Sequence, residues 1–195
     1  MNTKSALLVG VGGQGTILAS RIFTQGLLHA GWDVKMSEVH GMAQRGGSVS
    51  TQVRWGRRVY SPLIGPGAAD MILAFEKMEA VRYQEYLTPE GIVVVSNLEI
   101  PSAPIAAGLC PYPSDCLEEL SRHHRCIEVK AGEIAQSLGN GKCMNVVLLG
   151  AMVAVLNMDD MDWESAIRST VPQRFLELNL AAFQAGRIAV QEEAA

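Results

Sequence analysis

The 195 residues predict an α/β protein: a doubly wound, mostly parallel sheet with helices on both faces and a C-terminal helical segment. Three observations carry this expectation. A short apolar run ends in a glycine cluster and leads straight into a helical pattern. Near-continuous apolar runs of strand length follow, as in strands covered on both faces. Strand-like and helix-like patterns then alternate along the chain, the order expected of β-α-β units.

The elements follow in order. Ala6-Leu7-Leu8-Val9 is the first strand, and Thr16 to Ala30 is a helix with apolar residues at Ile17, Ala19, Ile22, Phe23, Leu27 and Leu28. Gly31 is its C′ residue, and Trp32 to Val39 alternates bulky apolar and polar side chains as a second strand. A right-handed crossover makes these two strands parallel and puts the glycine turn at a carboxyl end of the sheet, where α/β sheets bind ligands. A small-residue loop, His40 to Gly47, precedes a third strand, Ser48 to Trp55. Ala69 to Phe75 is a fourth, central strand, followed by a helix over Glu76 to Tyr86 and a fifth strand at Ile92 to Val95. Ser96 to Ser114, with Pro101, Pro104, Pro111 and Pro113, is too long for an ordinary connection and reads as an ordered surface loop. Beyond it come a helix (Asp115 to His124), a strand (Cys126 to Lys130), a short helix (Gly132 to Leu138) and a helix buried on most sides (Cys143 to Leu156). Two helices close the chain. The last starts after Thr170-Val171-Pro172-Gln173, a capping-box pattern with proline in the first turn, and runs to about Gln191. With no repeat or linker, residues 1–195 read as a single domain, an α/β core over about 1–156 and C-terminal helices over about 157–192.

Composition narrows the function classes. Charged residues make up 18% and hydrophobic residues 48%, with a mean hydropathy of +0.14. Soluble chains average about 25% charged, so an unusual share of surface is expected to be covered by a partner. A net charge of −4 and a pI near 5.6 give none of the basic footprint that nucleic acid demands. The longest apolar stretch, Met144 to Met158, is broken by Asn145, Gly150 and Asn157. It falls short of the ~18 residues of a membrane span. Cys110, Cys116, Cys126 and Cys143 are separated by 5, 9 and 16 residues, without the close pairs that zinc ribbons and ferredoxin clusters use. The apolar run after Met1-Asn2-Thr3-Lys4 is too short for a signal peptide, so the chain is expected to be cytoplasmic with reduced thiols.

Chemistry concentrates in two loops. Gly10-Val11-Gly12-Gly13-Gln14-Gly15 matches Gly-x-Gly-x-x-Gly between a strand and a helix, where glycines admit close backbone approach and a helix N-terminus offers free N–H groups to an anion. A dinucleotide is the first candidate, giving a stand-alone NAD(P)- or FAD-binding Rossmann-type oxidoreductase as one reading; a tight turn without ligand is another. Against the dinucleotide, Asp33 and Glu38 are poorly placed for the acid expected about 20 residues on. The loop has no lysine, which excludes a P-loop. The second loop is His40-Gly41-Met42-Ala43-Gln44-Arg45-Gly46-Gly47, on the same sheet edge. Arg45 beside Gly46 and Gly47 suits an uncrowded anion contact, and its structural alternative is a turn with a surface charge. Arg45 and His40 are the catalytic candidates. His123-His124 and the acids Asp159, Asp160 and Asp162 read as helix-end residues, and no metal site is expected.

The two glycine runs, in this order, with Asn145-Val146-Val147-Leu148-Leu149-Gly150-Ala151 behind them, resemble the gamma-type catalytic domain of 2-oxoacid:ferredoxin oxidoreductases. The run from His40 to Gly47 is similar to the beta-subunit branch of the indolepyruvate enzymes. The resemblance covers nearly the whole chain and implies a Rossmann-like fold. It also implies oxidative decarboxylation of a 2-oxoacid (indolepyruvate or arylpyruvate type) on thiamine diphosphate, with electrons passed through iron–sulfur clusters to ferredoxin and the acyl group to coenzyme A. The chain lacks the Gly-Asp-Gly…Asn signature that holds magnesium-diphosphate. The resemblance therefore places thiamine diphosphate with magnesium, and the [4Fe-4S] clusters, on a larger partner subunit, leaves this chain inactive alone and brings ferredoxin in through the complex. A homodimer is the alternative for the isolated chain. Carried over residue by residue, Gly10, Gly12, Gly13, Gln14 and Gly15 become backbone and amide contacts, and Arg45, Gly46 and Gly47 an anion-facing loop of one active-site wall.

Overall fold

The computed structural model describes residues 3–40 and 46–193. Six strands and eight helices follow one another as β1 (Lys4–Val11), α1 (Thr16–His29), β2 (Asp33–His40), β3 (Ser48–Gly56), β4 (Ala69–Ala74), α2 (Lys77–Tyr83), β5 (Leu87–Ser96), α3 (Ala103–Ala106), α4 (Cys116–His123), β6 (Arg125–Val129), α5 (Ala131–Ser137), α6 (Met144–Val155), α7 (Trp163–Thr170) and α8 (Leu176–Glu193). The strands form one sheet in the order β2-β3-β1-β4-β5-β6. β1, β4, β5 and β6 pair in parallel, whereas β3 is antiparallel to both β1 and β2.

The mostly parallel, doubly wound sheet expected from the sequence is therefore present, with one refinement. β1 and β2 run the same way but are not neighbours, because β3 fills the gap that the α1 crossover leaves between them. The reason is length. A parallel return needs roughly a dozen or more residues, and the connection over residues 41–47 is too short, so the chain comes back antiparallel.

Alternate residues of each strand feed two cores. Ala6, Leu8, Met71, Leu73 and Val94 face α1 and α5 to α8; Leu7, Val9, Ile72, Ala74, Val93 and Val95 face α2 and α4. Helices thus cover both faces. In α6 every residue from Met144 to Val153 is buried, which explains why its apolar stretch lacks a polar stripe. Among the described residues no helix is long and apolar enough to cross a membrane.

The closing helices pack tightly. A Cβ placed on Gly150 of α6 would stand 2.1 Å from the Phe183 carbonyl oxygen, and one on Gly186 of α8 would stand 1.8 Å from the Val147 oxygen, so the two backbones touch. On α1, Gly26 leaves room for the Trp163 ring of α7, and Phe23 stacks on Trp163 at 5.9 Å while meeting Trp55 edge-on at 5.3 Å. Two local expectations need correction. The proline-rich segment contains the short helix α3. Thr170 does not cap the last helix: it ends α7, its hydroxyl donating to the Ala166 carbonyl, and α8 begins only after a 3-10 turn at Gln173–Phe175. A hydroxyl within reach of the carbonyl four residues back prefers that acceptor to a distant N–H.

Candidate functional site

The site starts where β1 runs out. Gly13 and Gly15 adopt φ of +103° and +81°, a region closed to most side chains, and this reverses the backbone between β1 and α1. Gln14 locks the turn from inside. Its Oε1 accepts the Val11 N–H at 2.7 Å and its Nε2 donates to the Phe75 carbonyl at 2.7 Å, tying the end of β1 to the end of β4. Both ends of this amide are engaged within the fold, so what remains for a ligand is its second Nε2 hydrogen and the second lone pair of Oε1. Gly10 backs the turn, where a Cβ would approach the Phe75 Cβ to 2.9 Å.

The second loop meets the first. The Gly12 N–H donates to the Gly47 carbonyl at 2.9 Å, while Gly10 pairs with Val49 and Val11 with Ser48 in the β1–β3 ladder. Gly46 is exposed with φ of +78°. Arg45 and the rest of the run from Gly41 lie outside the described residues, as does the side chain of His40, whose backbone closes β2 opposite Val49. The two glycine runs thus share one sheet edge and one hydrogen bond.

α1 opens from this turn with Gly15 as N-cap, no capping side chain and no acid in its first turn, which leaves the positive end of its dipole uncompensated. Asn145, 3% exposed at the start of α6, donates to the Gly15 carbonyl at 3.0 Å and braces the turn from beneath. The sequence signal was present: an amide interrupting an otherwise apolar helix. A cavity of about 160 Å³, lined by Leu18, Lys142, Cys143, Asn145, Phe175 and Asn179, opens beside this first turn.

Sequence reasoning missed a second cluster on the other side of the loops. Glu76 follows β4 and is fully buried. It caps α2 by accepting the Glu79 N–H at 2.9 Å, and it also accepts the Ile100 N–H at 3.2 Å and the Tyr112 hydroxyl, pinning the proline-rich segment to this edge. Burial and the adjoining Glu76 carboxylate push the Tyr112 hydroxyl far above the usual phenol range. One turn on, Glu79 accepts the Ser48 hydroxyl at 2.5 Å through one oxygen and Arg82 Nε at 3.1 Å through the other. Ser48 adjoins Gly47, so this carboxylate stands directly behind the second loop. The acids look like ordinary helix-start residues in sequence, because nothing local shows that a serine from β3 will meet Glu79 and a tyrosine from the proline-rich segment will meet Glu76.

Other predicted residues lie elsewhere. Asp33 sits at the start of β2, on the opposite sheet edge, where Lys35 at 2.6 Å and the Val59 N–H at 2.8 Å hold its carboxyl below the usual range. Two strand spacings, about 9–10 Å, separate β1 from β2, so the acid of a dinucleotide site does not form beside the glycine turn. Asp162 caps α7 through the Ser165 N–H, the helix-end role expected of it, whereas Asp159 pairs with Arg187 of α8 at 2.6 Å rather than capping. His123 is 3.8 Å from Glu119. Among the described residues no three His, Cys, Asp or Glu side chains gather in a metal-holding group, and the four thiols are free and distributed over separate elements. Among the described residues, then, nothing gathers the thiolates that an iron–sulfur cluster requires.

Comparison with known proteins adds a family. The family Pyruvate ferredoxin/flavodoxin oxidoreductase matches residues 5–189. The indolepyruvate oxidoreductase subunit IorB of Pyrococcus horikoshii is 36% identical over 200 residues, with 98% of each chain covered. Among solved structures, the gamma subunit of a keto/oxoacid ferredoxin oxidoreductase from Geobacter sulfurreducens superposes with a TM-score of 0.73 at 25% identity, covering 97% of this chain and 99% of that one. The 2-oxoglutarate:ferredoxin oxidoreductase of Magnetococcus marinus, solved with 2-oxoglutarate, coenzyme A and succinyl-CoA bound, shares the fold at 17% identity and a TM-score of 0.75, with 98% of this chain matching 32% of that one.

Proposed function

This chain belongs to the pyruvate ferredoxin/flavodoxin oxidoreductase family, as a small subunit of the 2-oxoacid:ferredoxin type, and from that premise we propose that it serves an indolepyruvate- or arylpyruvate-type enzyme by supplying one glycine-loop wall of the active site. The observation that carries this is the hydrogen bond from Gly12 to Gly47, which fuses two glycine loops into one open, anion-compatible surface at the carboxyl edge of the sheet. Similarity to the indolepyruvate subunit over 98% of the chain supports the substrate class. The larger subunit carries thiamine diphosphate with magnesium and the [4Fe-4S] clusters and passes electrons to ferredoxin; coenzyme A, present in the Magnetococcus relative, is the acyl acceptor. When bound there, thiamine diphosphate supplies the electron sink for decarboxylation. This chain's share is positional: the uncapped α1 N-terminus, the exposed Gly13 and Gly46 backbone and Arg45 receive an anionic group and keep water from it.

The test is co-expression with a thiamine-dependent large subunit and assay of indolepyruvate-driven ferredoxin reduction in the presence of coenzyme A. Neither chain alone should turn over, and the co-purified complex should. Micromolar NAD(P) or FAD binding by the isolated chain, with no activity in the complex, would replace this reading by the stand-alone dinucleotide enzyme.

A further inference from the structure

The cluster behind the second loop contains a cation that belongs to neither glycine run. Arg82 lies on α2, its side chain 52% exposed, and touches Glu79, which is 3% exposed, through Nε alone. Among the described residues its two terminal nitrogens have no partner. Glu79 is itself fixed: its other oxygen accepts the Ser48 hydroxyl, and its own N–H is held by Glu76. A guanidinium held at Nε by a buried carboxylate is restrained relative to a free arginine, and its half-exposed terminal fork keeps the two Nη groups that receive an oxyanion bidentately. The chain of contacts, Gly12 to Gly47, Ser48 to Glu79, Glu79 to Arg82, sets this fork beside the glycine loops rather than at an unrelated place on α2.

We propose that Arg82, held by Glu79, is an oxyanion-binding residue of the glycine-loop surface. Glu79 is a positioning residue: it is buried beneath the guanidinium and meets the ligand only through it. The proposal deepens the reading of the chain as an active-site wall and rests on it for the ligand's identity. The oxyanion is either the carboxylate of the 2-oxoacid or a phosphate of coenzyme A, and the two sources are separable by experiment.

Inorganic pyrophosphate titrated into the full chain by calorimetry is the direct probe. Arg82→Gln should weaken binding about tenfold, the worth of one charge-assisted contact. Arg82→Lys should restore only part of it, and Glu79→Gln should weaken it with Arg82 intact. Arg57→Gln, an exposed arginine at the opposite sheet edge, should leave it unchanged. In the assembled complex, Arg82→Gln should raise KM about tenfold for one substrate with kcat little changed; a rise for the 2-oxoacid assigns the carboxylate and a rise for coenzyme A the phosphate. Absence of pyrophosphate binding to the unaltered chain, unchanged binding by Arg82→Gln, or equal weakening by Arg57→Gln overturns the proposal. If the unaltered complex oxidises no 2-oxoacid, the functional reading fails, while the titration still decides on Arg82.

Discussion

At the scale of single residues, the glycine turn depends on two conditions that a methyl group would violate together. At Gly15 the backbone is left-handed, and a Cβ would come within 2.5 Å of Asn145 Nδ2. Gly15→Ala should therefore cost about 1–2 kcal/mol from backbone strain alone, and more if Asn145 is displaced, with the loss read from a denaturant midpoint. Gly13→Ala, where a Cβ meets open space, should show the strain component only. A second residue-scale prediction concerns pH. Burial pushes the Cys126 thiol up to about 11, whereas an unfolded cysteine ionises near 8.5. The sign follows: the folded state resists losing this proton, so the contribution is complete below about 8.5 and disappears as pH rises toward about 11. Thermal stability should decline across that window and decline less in Cys126→Ser; an identical slope in both would remove the cause. The glycine motif and the Asn145 interruption were visible in the sequence. Glu76 and Glu79 were not, because their significance comes from Ser48 and Tyr112, brought in from distant positions by the sheet order and the proline-rich segment.

At the scale of elements, hydrophobic periodicity identified the strands and the major helices because each buries one side or both. It could not order the strands. Alternation in Asp33–His40 and Ser48–Gly56 tells which side chains share a face and says nothing about neighbour or direction; connection length makes β3 antiparallel to β2, and only the sheet order places it beside β1. The capping pattern before α8 failed for a similar reason: Thr170 had a nearer acceptor within α7. The junction of α6 with α8 provides the element-scale prediction. Alanine at Gly150 or Gly186 must drive the helices apart, since the obstructing atoms, the Phe183 and Val147 carbonyls, belong to backbone. Each substitution should destabilise by about 1–3 kcal/mol or more, the usual cost of overfilling a tight interior. Because both relieve the same contact, the double variant should lose less than the sum. Additive losses would mean that the two glycines act independently.

At the scale of the molecule, the three most exposed large apolar side chains lie on two surfaces at opposite edges of the sheet. One is the carboxyl edge, with the glycine loops and the proline-rich segment, where Leu109 is 79% exposed and Glu76 pins Tyr112 and Ile100 close to the turn. The other is the connection from β3 to β4, where Tyr60 is 82% and Leu63 63% exposed, beyond the end of β3 that pairs with the starts of β1 and β2. An active-site wall predicts that the larger subunit covers the first. Hydrogen exchange of the isolated chain and of the complex separates the two surfaces, because protection is read amide by amide. Amides from Gly12 to Thr16, from Gly46 to Val49 and around Leu109 should slow on assembly, while those from Arg57 to Gly65 should not. Slowing confined to the β3–β4 connection would put the partner on the far edge and leave the glycine loops outside the interface. The same experiment on Ser48→Ala supplies a control: removing the hydroxyl held by Glu79 should speed exchange at Gly12 and Ser48 in the isolated chain, since the bond from Gly12 to Gly47 depends on where Ser48 is anchored.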